Sequence, residues 1–371
     1  MVNADFWKGR RVFVTGHTGF KGSWLTLWLS QMGADVHGYA LAPEGEVSLF
    51  ESVRAAELCH HQVADVRNLD TLREALVRSR AEVVIHMAAQ PLVLRSYEDP
   101  VETYATNVMG TVNLLEAVRA TPEVRSVVVV TTDKCYENRE WVWGYREDEP
   151  MGGHDPYSSS KGCTELVVSA YRRSFLMRKG LEKPVGIASA RAGNVIGGGD
   201  WARDRLVPDI MNALMEGRRP RLRNPSSVRP WQHVLEPLRG YLMLAQQLAE
   251  GVHSRAEAWN FGPSEVDHAP VLKVAERLCA LWGEAGGPVC ERVAQPHESH
   301  LLKLDCSKAR SQLGWIPRWG LDEALQRIAG WYDAFQRGED MRAVTLAQIA
   351  AYTGKERSPA PIDNRTVEYI S

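Results

Sequence analysis

The sequence has no C-x-x-C pair. Its six cysteines (Cys59, Cys135, Cys163, Cys279, Cys290 and Cys306) are scattered along 371 residues. That spacing argues against a zinc ribbon or a dithiol redox motif, and it reads as reduced thiols in the cytoplasm. Cys135 has no candidate base beside it and reads as a small buried residue. No apolar run approaches the roughly 18 residues that cross a bilayer, so no membrane partner is expected. The opening MVNADFWKGRRVFVTG has no long apolar stretch of the signal-peptide kind. Charge of neither sign is in excess: 44 Lys and Arg stand against 46 Asp and Glu. A general nucleic-acid binder is therefore not expected, and an anionic ligand needs a local basic site. His297-Glu298-Ser299-His300 invites a metal reading, but sulfur or carboxylate ligands at good spacing are missing, so no metal is expected.

What is present is an alternation of short β-rich runs and amphipathic stretches. Arg11–Val14, Val36–Leu41, Gln62–Val66, Glu82–Met87 and Ser126–Thr131 read as strands. Val127–Val130 is apolar without alternation, as in a strand covered on both faces. Ser23–Met32, Asn68–Ser79 and Pro100–Ala120 read as helices between them. This predicts an α/β protein with a Rossmann-type, doubly wound parallel sheet. After about residue 190 the pattern changes. Gly193–Asp200 is irregular, Pro208–Glu216 helical, and Arg218–Pro230 basic and proline-punctuated. Val234–Glu250 is helical, Ala258–Phe261 a strand, and Val271–Trp282 and Leu321–Arg337 helical. The expected division is a dinucleotide-binding unit over 1–190 plus about 231–262. A smaller interleaved substrate unit takes about 191–230 and 263–340, and 341–371 is a tail without a readable motif.

Gly16-His17-Thr18-Gly19-Phe20-Lys21-Gly22 is a G-x-x-G-x-x-G loop between a strand and a helix. Its glycines let a pyrophosphate approach the backbone, and the helix start offers free N–H groups. The acidic residue expected about 20 positions on is missing, because the second strand ends Gly38-Tyr39-Ala40-Leu41-Ala42. No arginine stands there for a 2′-phosphate, so NAD is favoured over NADP. Asp65 is a candidate for the adenine amino group, or a helix cap. His17 and Lys21 are unusual in such a loop and either contact the cofactor phosphates or crowd them. Loose retention of the cofactor is expected.

Tyr157 and Lys161 lie four apart in Tyr157-Ser158-Ser159-Ser160-Lys161, on one face of a helix. A nearby cation favours a phenolate, which takes a proton from a sugar hydroxyl as hydride leaves for nicotinamide. Thr131-Thr132-Asp133-Lys134 ends the fifth strand, where ligands of open α/β sheets sit. A hydroxyl, a carboxyl and an amine in a row offer a donor, an acid and a base. The bland alternative is an N-cap with a solvated ion pair. Arg203, Arg205 and Arg229 are candidates for a diphosphate, since guanidinium forks suit it. Solvated loop charge is the competing reading for the first two.

Together these residues resemble the extended short-chain dehydrogenase/reductase family. The resemblance is closest to its CDP-glucose 4,6-dehydratase type and runs from about residue 6 to about 340. It is carried by TGHTGFKGSWL from Thr15, TTDKCYENREWVWGYREDEPMGG from Thr131 and YSSSKG from Tyr157. RAGNVIGGGDWARDRLVPDI from Arg191, RPWQHVLEPL from Arg229 and HESHLLKLDCSKARSQLGW from His297 add to it. The resemblance implies an internal redox cycle on a nucleotide sugar, CDP-glucose. Tyr157 with Lys161 takes the C4 hydroxyl proton while NAD takes hydride. Asp133 protonates the departing C6 hydroxyl, and Thr132 holds the C4 oxygen. Related dTDP- and GDP-sugar enzymes have glutamate where Lys134 stands, so Lys134 carries the CDP-glucose reading. It acts either as a C5 base with lowered pKa or as an anchor. The resemblance also assigns Asp65, Val66, Ala88 and Ala89 to the cofactor and Asn194 to the diphosphate. It implies a homodimer through two long helices, around 100–120 and 157–179, and a role in surface-polysaccharide deoxysugars. A 4-epimerase shares the loop and the Tyr–Lys pair, and a non-catalytic dinucleotide sensor shares the fold. Neither needs the acid and base at 133 and 134.

Overall fold

The computed structural model describes residues 2–290 and 301–354; the His297–His300 segment lies outside them. Seven parallel strands form the central sheet: β1 Arg11–Thr15, β2 Asp35–Ala40, β3 His60–Val63, β4 Val83–His86, β5 Ser126–Val130, β6 Gly186–Ala192 and β7 Ala258–Phe261. Their order is β7-β6-β5-β4-β1-β2-β3. The order reverses between β1 and β4, and the carboxyl ends of those two strands frame the crevice where such sheets bind ligands. The doubly wound parallel sheet expected from the sequence is present.

Strand periodicity divides the core. On β5, Val127 and Val129 join the hydrophobic cluster that holds Leu72, Leu76, Leu114 and Leu115. Val128 and Val130 join the opposite cluster, with Trp24, Leu25, Trp28, Leu238 and Leu242. Helices α1 Phe20–Gln31, α2 Leu69–Ser79 and α3 (residues 100–119, with a π-helical turn over Ala105–Met109) cover the first half of the sheet. They are joined by α4 Pro156–Tyr171, α5 Leu206–Met215, α6 Leu235–Ala249, α7 Val271–Trp282 and α8 Leu321–Gln336. Beyond β6 the chain adds short ribbons, pairing Val228–Pro230 with His268–Pro270 and Val195–Ile196 with Gln232–His233.

Three local differences from the sequence reading have clear causes. β3 runs over His60–Val63, not Gln62–Val66, because the chain turns at Asp65, whose carbonyl accepts from Asn68 N. α1 begins at Phe20, not Ser23, because Gly19 already stands in extended conformation as its N-cap. β6 had no counterpart in the sequence reading; GIASARA is rich in small residues and lacks the β-branched run that marks a central strand.

The stretch beyond Gly338 is not featureless. It forms α9, Met341–Thr353, capped by the Asp340 carboxylate on Arg342 N and Ala343 N. Tyr352 from α9 donates its hydroxyl to buried Glu236 at 2.6 Å and accepts from Arg239 Nε at 3.0 Å. Glu236 also accepts from Arg318 N and Trp319 N. α9 thus completes the solvation of a carboxylate inside the protein. Tyr352→Phe leaves that carboxylate one donor short, so unfolding stability should fall by about 1–3 kcal/mol. Urea denaturation reads this as a lower midpoint at constant slope; an unchanged midpoint would show that α9 contributes packing alone.

Candidate active site

The glycine loop leaves β1 at the crevice. Gly16 has φ +75°, and a Cβ there would stand 2.7 Å from Ala88 N, just after β4. Gly22 is tighter, since a Cβ would lie 2.1 Å from Gly16 O. Gly19 has no side chain to cap α1, so the first-turn N–H groups that every helix leaves without an internal acceptor face the loop's mouth. This backbone cradle fits a pyrophosphate. Thr18 Oγ1 donates to Leu41 O at 2.9 Å and ties the loop to the end of β2. Thr15 Oγ1 receives Met87 N and Ala88 N, at 3.1 and 3.2 Å, and fixes the turn where Ala88 and Ala89 border the crevice.

Other residues of this half are committed elsewhere. His17 is buried over Gly38, with Nε2 2.6 Å from His61 Nδ1. Burial, reinforced by His61, pushes its pKa down to about 4 against a hydrogen bond to the Tyr39 backbone, so the ring is neutral. Its side chain therefore belongs to the sheet edge and brings no positive charge to the loop. Asp65 is held by Arg67, through Arg67 Nε at 2.8 Å and its backbone N at 2.8 Å, and that hydrogen bonding keeps the carboxyl below its usual range. Asn68, not Asp65, caps α2. Val66 is buried against Gly110. Glu44, the first acidic residue after β2, contacts Arg95.

The second half of the site stands at the end of β5. Thr132, Asp133, Tyr157 and Lys161 are all buried, and Lys134 is half-buried. Thr132 Oγ1 donates to Asp133 Oδ1 at 3.0 Å and lies within hydrogen-bonding reach of the Tyr157 phenol. Asp133 Oδ2 is buried with no protein partner, close beside Gly193. Burial raises the pKa of Asp133, although Lys134, Thr132, Arg229 and Lys21 all work against that rise. Lys21 reaches into the same pocket from α1. Burial, with Arg205 and Lys161 repelling it, lowers its pKa to about 8.

Burial is the largest influence on the proton affinity of Tyr157. Burial pushes Tyr157 up to about 12, opposed by the Thr132 hydrogen bond and by Arg205. Lys161 donates to Val130 O at 3.4 Å and is itself pushed down to about 8 by burial. Desolvation is the leading cause of both shifts.

Among the arginines, Arg229 is buried, with Nη1 donating to Val228 O, and its charge acts on Asp133. Arg205 pairs with buried Asp200 at 2.9 Å and acts on Tyr157 and Lys21, so it stands at the catalytic end of the pocket. Arg203 is exposed. Asn194 is half-buried, and its carbonyl accepts from Gln232 N.

Sequence reading missed what holds this centre. Glu165, one turn beyond Lys161, accepts from Thr131 Oγ1 at 2.5 Å, Ser189 Oγ at 2.6 Å and Arg191 Nη2 at 2.8 Å. The side chains of Glu165 and Arg191 are 5% and 4% exposed. Arg191 Nη1 continues to Tyr136, whose hydroxyl donates to Asn260 Oδ1. Burial opposes the Glu165 carboxylate, yet Arg191 and the hydroxyl donors hold its pKa below the usual range. Two signals existed: the i+4 spacing from Lys161, and a lone arginine among small residues in GIASARA.

The family model described as GDP-mannose 4,6 dehydratase matches residues 13–328. The chain belongs to that family, within the extended short-chain dehydrogenases/reductases. A protein of Salmonella typhimurium named CDP-glucose 4,6-dehydratase is 55% identical over 353 residues, which cover 95% of this chain and 98% of that one. A dTDP-glucose 4,6-dehydratase of Streptomyces antibioticus is 29% identical, covering 73% of this chain and 74% of its own. Of solved structures, a dTDP-glucose 4,6-dehydratase of Bacillus anthracis in complex with NAD matches with a TM-score of 0.75 at 21% identity, over 90% of this chain and 99% of that one. A UDP-glucose 4-epimerase of Thermotoga maritima with UDP-glucose also reaches 0.75 at 21% identity, over 87% and 99%. Two differently named enzymes match equally well, so these structures establish the fold and leave the reaction to the site.

Glu165→Ala should destabilise the protein by about 3–5 kcal/mol, because it strands the buried Arg191 guanidinium. A wild-type unfolding midpoint in that variant would remove the ion pair from its supporting role.

Proposed function

We propose that this chain catalyses the NAD-dependent 4,6-dehydration of CDP-glucose, giving CDP-4-keto-6-deoxyglucose. The observation that carries this reading is 55% identity, along nearly all of both chains, to a protein named for that reaction. The Gly16–Gly22 cradle would hold NAD, which would supply a reversible hydride acceptor for C4 and donor for C6 of the sugar. Val66, Ala88 and Ala89 border its site, and Asp65 reaches the adenine from its pairing with Arg67. Retention is loose, since β2 ends without an acid for the ribose.

Tyr157 takes the C4 hydroxyl proton, and Thr132 holds the C4 oxygen. The phenolate is favoured by Lys161 and by the positive charge that arrives with the cofactor, both acting in a medium of low dielectric. Oxidation at C4 acidifies the C5 hydrogen, which Lys134 removes. Asp133 delivers a proton to the C6 hydroxyl, water leaves across C5 and C6, and Lys134 gives its proton back to C5 as hydride returns to C6. The raised proton affinity of Asp133 and its unpartnered Oδ2 suit an acid. Asn194, Arg203 and Arg229 serve the diphosphate. Arg205, drawn to Asp200, serves the sugar end. Residues 191–230 and 263–340 form the nucleotide-sugar part in this reading.

We also infer a homodimer. Val101 and Met109 of α3 and Leu166 of α4 are 78%, 52% and 61% exposed, an apolar face on the two helices named for pairing. Six unpaired thiols suit a reducing cytoplasm. The 4-keto-6-deoxy product suits deoxysugar synthesis of the O-antigen type.

CDP-[4-²H]glucose tests the reaction. The product should be lighter by one water and carry deuterium at C6; conversion to the C4 epimer, of unchanged mass and with deuterium kept at C4, would mean epimerisation. Variants separate the steps. Asp133→Asn should lower product formation by about 10²–10⁴-fold while C4 oxidation persists. Lys134→Ala should slow exchange of the C5 hydrogen with solvent; exchange at the native rate would leave Lys134 only an anchoring role.

A further inference from the structure

We propose that Asp35, His37 and His60 form a binding site for a divalent transition metal of the zinc type, at the opposite end of the sheet from the catalytic pocket. Strand geometry builds it. Asp35 and His37 are two apart on β2 and so project from one face. The parallel register sets His60, the first residue of β3, directly against His37. His37 Nε2 lies 3.4 Å from Asp35 Oδ2, and His60 Nε2 lies 3.1 Å from Asp35 Oδ1. All three ligand atoms fall within 4.8 Å of one another; no other His/Cys/Asp/Glu group among the described residues does so.

Those separations suit a metal. Tetrahedral bonds of roughly 2.0–2.1 Å put neighbouring ligand atoms about 3.3–3.4 Å apart. Two imidazoles and one carboxylate favour zinc, nickel or copper over magnesium or calcium, which take oxygen ligands. The rings of His37 and His60 are stacked at 4.4 Å with 19° between their planes. Both nitrogens therefore point the same way, toward one carboxylate. His60 is 69% exposed and free to turn its lone pair onto the ion. Of the nearby cations, Arg11 pairs with Glu82 while still acting on His37, and Arg78, which lines the adjoining cleft, donates to Gln62. A cleft of about 480 Å³ beside His37 and His60, bordered by Phe13 and Ala75, leaves room for a fourth ligand from solvent.

The site lies at the amino ends of β1–β3, since Asp35 pairs with Arg11. Gly16 and Ala88 mark the carboxyl ends. A metal here has no part in the sugar chemistry. It clamps β3, a four-residue edge strand held on one side only, to β2. Ligand linkage then makes the thermal midpoint rise with metal concentration.

The test is calorimetric titration of ZnCl₂ into chelator-treated, full-length protein, with thermal unfolding in parallel. Wild type should take up one zinc per chain and unfold at a higher temperature with zinc than without. His60→Ala removes a solvent-facing side chain, and Asp35→Asn keeps the shape of the third ligand. Both should bind zinc at least tenfold more weakly and lose the thermal shift. Absence of zinc binding by wild type, or less than tenfold weakening in either variant, overturns the assignment.

Discussion

The ion pair between Glu165 and Arg191 is the interaction on which the site rests. It lies beneath the catalytic pocket and joins α4, which carries Tyr157 and Lys161, to β6 and β5. Through Thr131 it holds the strand end that presents Thr132, Asp133 and Lys134. Through Tyr136 and Asn260 it reaches β7. A buried pair is a weak source of net stability, because desolvation offsets much of the attraction. Its use is geometric: three hydroxyl and guanidinium donors leave the Glu165 carboxylate one orientation, and Lys161 stands one helical turn from it. The same carboxylate favours the charged form of Lys161 against burial.

On that platform, desolvation decides where protons sit. Burial moves Tyr157 and Asp133 toward their neutral forms, and Lys161 and Lys21 likewise. For Asp133, Lys161 and Lys21 this shift is toward neutral pH, the range in which a group transfers protons best, whereas Tyr157 moves away from it. Arg205 and Asp200 contribute a fixed ion pair at its edge, so that guanidinium is a constant part of the field at Tyr157.

Much of this was legible in the residues. Glycines at a strand–helix junction, apolar strands without alternation, and Tyr157, Lys161 and the 131–134 run on one sheet edge all follow from local periodicity and spacing. What was hidden depends on long-range partners. Glu165 is an ordinary helix residue until Ser189 and Arg191 arrive from β6. Asp200 lies in a glycine-rich loop, where its pairing with Arg205 has no periodic signature. His17 looks like a loop cation and becomes a neutral core ring only because Gly38 leaves space for it. α9 carries no motif, and its value to the protein lies in solvating Glu236 from across the chain. Spacing gives Tyr157 and Lys161 as neighbours, while the burial that raises the Tyr157 pKa depends on the whole fold.

The chemistry proposed for this platform is the removal of water from CDP-glucose. The direct measurement is incubation of the purified protein with NAD and, separately, CDP-glucose, dTDP-glucose, UDP-glucose and GDP-mannose, read by mass. Loss of one water is expected from CDP-glucose and none from the other three. Loss from a different nucleotide sugar would contradict the substrate, and loss from none, with NAD shown to bind, would contradict the reaction.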